Sequence, residues 1–274
     1  MKRAILWCGQ IEHDKRLQTG GNNEPQSKKE KRLVESTPET RFPYDDISLQ
    51  VNGLELAFQA ACKLGVHESE IYACLVQPDL RPQGLQTNVR GATRDELERL
   101  LHEFANKSTE ALLFVAVNHG SSNGLTTAED VTDPMRDDQD TILTPLLLEK
   151  YLQVIDGPQV LVISTCHAGA FLGLGHENRC VLAACAANER YIFPRSDNLF
   201  SPFLDELFGA WCECALHDGV PRTTLPLYDA FEKARERMSQ VDGLMIPLIA
   251  GKTNWPPSNV EAARVQRKRS TPRR

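Results

Sequence analysis

The chain has 274 residues, 41% of them hydrophobic and 25% charged, with a net charge of −6. This is the composition of an ordinary globular protein able to bury a sizeable core, and its mild acidity argues against a nucleic-acid binder. No apolar run approaches the ~20 residues needed to span a bilayer, so no membrane partner is expected.

The first apolar run covers residues 4–8, behind Lys2 and Arg3. It is too short for the hydrophobic part of a signal peptide, and Glu12, His13, Asp14 and Lys15 follow at once, so it reads as a buried strand. Residues 10–45 are a polar insertion with basic pairs at Lys15-Arg16, Lys28-Lys29 and Lys31-Arg32. Residues 47–64 then place Val51, Leu54, Phe58, Ala61 and Cys62 at helical spacing. A second strand is expected over 71–76. A helix follows over 93–104, opened by Thr93 and Glu96 as a capping box, with Leu97, Leu100, Leu101 and Phe104 on one face.

The third strand spans 112–117, and an acidic loop over 121–141 follows it, with Glu129, Asp130, Asp133, Asp137, Asp138 and Asp140. A helix over 146–155 leads to a fourth strand over 160–164, and a fifth covers 180–185. Helices over 203–216 and 227–241 precede a last strand over 244–250. Pro247 cannot donate a ladder hydrogen bond, so that strand belongs at an edge. Ser201 and Pro202 read as the cap and first residue of the 203–216 helix. The end of the chain, residues 255–274, is basic, as a disordered tail would be.

All the strands are continuous in Val, Ile and Leu rather than alternating, as strands covered on both faces are. Strands alternating with helices predict an α/β domain over 1–254 with a mostly parallel sheet between helical layers. The eight cysteines are 8, 62, 74, 166, 180, 185, 212 and 214. Most sit in apolar runs and no secretion signal accompanies them, which fits a reducing cytoplasm better than a disulfide framework. Cys212 and Cys214 have no second pair at zinc-finger spacing.

Function in an open parallel sheet gathers beyond the carboxyl ends of the strands. Past the third strand stand Asn118, His119, Gly120 and Ser121; past the fourth, Thr165, Cys166, His167 and Gly169; past the fifth, Asn188 and Glu189. A thiolate is a nucleophile, and a neighbouring imidazole can take up and return its proton. His119 and Cys166 on consecutive strands suit those roles. Gly120 permits close backbone approach, and its N–H can join that of Cys166 in an oxyanion hole. Each motif alone has a plainer reading, since a cysteine at a strand end is usually structural and His-Gly is common in turns. His167 adjoins Cys166, but chain neighbours near a strand end tend to point apart, which favours His119 as the partner. His13, His67, His102, His176 and His217 show no ligand spacing, and no serine-hydrolase elbow or P-loop is present.

On the runs FVAVNHG (114–120) and VLVISTCHAG (160–169), the chain resembles the caspase-like cysteine peptidases, the group of caspases, metacaspases and legumains with their bacterial relatives. His119 precedes Cys166 by 47 residues, close to the caspase separation. The second run is most similar to the metacaspase motif. The first, with Ser121-Ser122-Asn123-Gly124, is more similar to the legumain branch and its bacterial members. The resemblance covers residues 1–252 as a fold. It implies a six-stranded sheet in the order 2-1-3-4-5-6 with an antiparallel last strand.

For function, the resemblance implies a cytoplasmic cysteine endopeptidase without metal or cofactor. Cys166 would form an acyl-enzyme, His119 would protonate the leaving amine, and Gly120 and Cys166 would hold the oxyanion. It points to Ser164, two residues before the nucleophile, as part of the pocket for the substrate side chain, where relatives carry Gln or an acid. Gln10, Asn188 and Glu189 are further pocket candidates by position. Implied partners are a polypeptide substrate and an activating protein, in regulated cell death or anti-phage defence. Self-cleavage sites are expected at 28–32 or 135–140. The other readings are a catalytically silent scaffold of the same fold and a zinc hydrolase using His119, His167 and a cysteine.

Overall fold

Strands that are apolar at every position need cover on both faces, and the sheet of this protein supplies it. The computed structural model describes residues 1–9, 46–128, 142–190, 201–214, 224–241, 245–253 and 255. In β1 (Lys2–Cys8), β2 (Ile71–Leu75), β4 (Ala111–Val117), β8 (Gln159–Ser164) and β9 (Arg179–Ala183) every residue is buried. With β3 (Val89–Gly91) and β10 (Leu248–Ala250) they form a seven-stranded sheet in the order β3-β2-β1-β4-β8-β9-β10. All neighbours are parallel except β9 and β10.

The six expected strands lie in the order 2-1-3-4-5-6, but the sheet has a seventh. The short β3 joins the free edge of β2, pairing Val89 with Ala73 and Gly91 with Leu75. Three residues carry too little pattern to be read as a strand. β10 begins just after Pro247, whose missing donor is tolerated at that edge.

Side-chain alternation along the central strands fixes the layers. On β1, the Lys2 ammonium donates to Leu64 O, and the Cys8 thiol lies 3.3 Å from Gln50 Oε1, so the even positions face α1 (Asp46–Lys63) and the turn after it. The odd position Arg3 instead donates to Phe104 O of α2 (Arg94–Asn106). On β8, Gln159 donates to Leu152 O at the end of α3 (Pro145–Leu152), while Ser164 turns the other way to Ser201, the cap of α4 (Pro202–Cys212). α1 and α4 therefore cover one face, joined by α5 (Leu227–Ser239), which packs on α4; α2 and α3 cover the other. Right-handed crossovers between parallel strands place α1 opposite α2 and α3, because the chain moves one way from β1 to β2 and returns past β1 to reach β4.

Local sequence explains the helix starts. Thr93, Thr144 and Ser201 cap α2, α3 and α4 through side-chain oxygens, and proline opens both α3 and α4. The Glu96 carboxylate does not return to Thr93 as a full capping box would; it pairs with Arg90 and Arg99. α4 ends at Cys212 rather than 216, because Glu213 takes the left-handed conformation at its C-cap. The expected loop 121–141 is in part ordered. β5 (Gly120–Ser121), β6 (Gly124–Thr126) and β7 (Ile142–Leu143) form a small antiparallel sheet. The insertion 10–45, the acidic stretch 129–141, both expected self-cleavage sites and all of the basic tail except Trp255 lie outside the described residues.

Candidate active site

β4 and β8 are parallel neighbours in register, Val117 opposite Ser164. His119 and Cys166 each stand two residues past these strand ends. Adjacent strands lie about 4.8 Å apart, so the two segments leave the sheet side by side. Val117 faces α1, where a β-carbon at Gly53 would meet its Cγ1 at 2.6 Å, and Ser164 faces the start of α4.

The chain after β4 is held by its hairpin. Thr126 donates from its N–H to His119 O at 3.3 Å and from Oγ1 to the same oxygen at 3.2 Å. In an antiparallel ladder a bond between the flanking residues marks the enclosed pair as non-bonded, here Gly120 opposite Leu125. The Gly120 N–H is thus aimed away from β6. A β-carbon on Gly120 would lie 2.5 Å from Cys166 O and 2.7 Å from Thr165 Oγ1. The glycine is required there, because the His119 turn presses directly on the backbone of the Cys166 turn.

The segment after β8 is strained and clamped. His167 is left-handed, with φ +57°, which costs a non-glycine residue about 1–2 kcal/mol. Its N–H donates to Glu189 O at 2.8 Å, and its Nδ1 lies 2.9 Å from Ala187 O. Thr165 donates from Oγ1 to Cys166 O at 3.0 Å. The Cys185 thiol sits 3.4 Å from Thr165 O, and burial raises its pKa. Such a turn holds Cys166 at the lip of the sheet, with a tight 3-10 turn (Ala168–Leu174) running on from it.

Exposure sorts the thiols. Six of the eight cysteines are buried, and only Cys62 and Cys166 are half-buried. Burial pushes Cys8 and Cys74 up to about 12, and Cys62 and Cys180 up to about 11, which disarms them as nucleophiles. The His119 ring is half-buried, and its Nε2 is closed off from solvent with no hydrogen-bond partner among the described residues. An unpaired buried nitrogen costs about 1–3 kcal/mol and calls for an explanation.

The pocket candidates behave differently. Ser164 is 5% exposed, and its hydroxyl is 2.9 Å from Ser201 Oγ, so it lies beneath the surface as part of the α4 cap. Asn188 is exposed. Glu189 is half-buried and accepts the Ala186 N–H at 3.0 Å, closing its own turn. Gln10 lies outside the described residues. His67, His102 and His176 are exposed. No group of three His, Cys, Asp or Glu side chains is arranged for a metal ion among the described residues, so His119 and His167 find no third ligand there. Sequence reasoning passed over Thr165 and Thr126. Thr165 was named only as a neighbour of Cys166 and Thr126 carries no motif, since their roles arise from backbone atoms brought close by the fold.

No helix among the described residues is long and apolar enough to cross a membrane. No protein-family model matches the chain, and no curated protein matches it. Among solved structures, it is similar to a secreted C11 cysteine protease from Bacteroides thetaiotaomicron, determined in complex with an irreversible peptide inhibitor. The TM-score is 0.38 and the identity 10%, over 88% of this chain and 59% of that one. A likeness of that size assigns neither fold nor activity, so the chemistry rests on the arrangement of His119, Gly120 and Cys166.

Proposed function

We propose that the chain is a cysteine endopeptidase. The supporting observation is the contact between Gly120 and the Cys166 backbone, which brings the segment carrying His119 against the segment carrying the half-buried Cys166 thiol at the end of the sheet. The Cys166 sulfur attacks the scissile carbonyl carbon. The resulting oxyanion accepts hydrogen bonds from the Gly120 and Cys166 N–H groups. His119 passes the thiol proton to the departing amine, then removes one from the water that hydrolyses the thioester. No group beyond this chain's own residues and water enters these steps.

Side-chain preference at the cut belongs to residues around this point, and the engaged Ser164 hydroxyl gives the pocket no charge. Glu189 is the nearby acid, with its half-buried carboxylate at the turn beside His167. Activation comes from a partner protein or from self-cleavage within 28–32 or 135–140.

The test is a panel of peptidyl electrophiles varying the residue at the cut, read by intact mass on wild type and Cys166→Ala. One adduct on wild type that is lost in the variant is expected. Adducts that persist in Cys166→Ala, or peptide cleavage that survives the substitution, would overturn the assignment.

A further inference from the structure

One residue holds both ends of the His119 segment. Thr126 gives its N–H and its hydroxyl to His119 O, at 3.3 and 3.2 Å. Its own carbonyl accepts Asn118 Nδ2 at 2.8 Å and Trp7 Nε1 at 3.3 Å. Asn118 immediately precedes His119 and is buried, and Trp7 is wholly buried in β1. A β-carbon at Gly9 would collide with the same Thr126 carbonyl, so the end of β1 is pressed onto it as well.

A hairpin needs only the backbone bond from Thr126 N–H to His119 O. The extra hydroxyl donor, and the two side-chain donors converging on the Thr126 carbonyl, exceed that need. Together they tie the side chain of residue 118 and the carbonyl of residue 119 to opposite ends of one rigid residue. This removes the backbone rotation that would swing the imidazole away from Cys166.

We propose that Thr126 is a positioning residue for His119, setting the imidazole against Cys166 through this four-bond hub; the inference rests on the Cys166–His119 reading above. It touches no reacting atom and acts through the His119 backbone alone. A 1 Å misplacement of a catalytic group costs about 100-fold, so partial release of the hub is expected to cost about 10-fold in kcat.

The experiment compares wild type, His119→Ala, Thr126→Val, Thr126→Ser and Trp7→Phe in the full chain. The first readout is the rate of Cys166 alkylation by iodoacetamide across pH, mapped by peptide mass so that Cys62 is counted separately. The second is kcat and KM on the best peptide from the probe panel. Thr126→Val keeps the shape but loses the hydroxyl. Its alkylation profile is expected to move from wild type toward His119→Ala, with kcat about 10-fold lower and KM unchanged. Thr126→Ser keeps the hydroxyl and returns both toward wild type. Trp7→Phe removes one donor from the Thr126 carbonyl and gives a smaller change in the same direction, and it carries the test if Thr126→Val does not fold.

A wild-type profile in Thr126→Val and in Trp7→Phe, while His119→Ala shifts, overturns the positioning role and leaves the pair intact. A shift absent from His119→Ala as well overturns the pair itself. A Thr126→Ser as impaired as Thr126→Val also overturns the hydroxyl's role.

Discussion

Replacing Gly120 by alanine puts a methyl group where the Cys166 turn already sits. The new carbon would stand 2.5 Å from Cys166 O and 2.7 Å from Thr165 Oγ1, against ordinary contact from 3.4 Å. Relief therefore requires a separation of about 0.9 Å between the two turns, close to the 1 Å misplacement that costs about 100-fold in rate. Loss of one oxyanion donor costs about 100- to 1,000-fold, so Gly120→Ala is expected to lower kcat/KM about 100-fold, or ~2.7 kcal/mol. The strain also lowers stability by about 1–3 kcal/mol, measurable by urea unfolding.

The assay pairs two reactions at Cys166. Peptide hydrolysis builds an oxyanion and should collapse. Alkylation by iodoacetamide builds none and should fall far less than hydrolysis, because it feels the wider spacing of His119 and Cys166 but not the lost oxyanion donor. A variant that keeps more than a third of wild-type hydrolysis would refute the argument that the Gly120 turn forms the oxyanion site. Equal loss of both reactions would refute it too, since the damage would then lie in the thiol or the fold.

Ser201→Ala removes both the cap of α4 and the partner of the buried Ser164 hydroxyl, and about 1–3 kcal/mol of stability is expected to go with it in urea unfolding. Glu149→Gln leaves Arg179, 1% exposed, without its ion-pair partner and with only neutral side-chain acceptors, the new amide oxygen and Gln159, among the described residues. A loss of about 3–5 kcal/mol is expected, and Arg179→Met in the same background should recover part of it. Alkaline stability tests the buried thiols. Burial raises Cys8 and Cys74 from 9.0 to about 12, so above pH 9.0 the unfolded chain sheds protons that the folded chain keeps. Stability should fall as pH rises through that window, by about 1.4 kcal/mol per pH unit for each thiol, and Cys8→Ala with Cys74→Ala should flatten the slope.

Much of the sheet was legible because of how burial acts on composition. β1, β2, β4, β8 and β9 are covered on both faces, so every position must be apolar or paired, and such runs stand out in a linear sequence. Caps were legible for a local reason. Thr93 and Ser201 bond to amides three residues away, within the reach of a sequence pattern. His119 and Cys166 stood out because both follow apolar strands at the end where ligands gather.

The remainder depended on atoms distant in sequence. β3 and the small sheet of β5, β6 and β7 are two or three residues per strand, too short for any period to show. Ser164 looked like a pocket residue by position, yet its hydroxyl meets Ser201 across 37 residues. The sequence by itself determined which segments are buried, where helices begin, and which cysteine and histidine follow strand ends. Only the tertiary structure decided that these two residues follow adjacent strands of the sheet, that Gly120 abuts Cys166 O, and that Thr126 holds the His119 backbone. Patterning records solvent exposure and local bonding one residue at a time, whereas register, close backbone approach and buried side-chain bonds exist only once distant strands have paired.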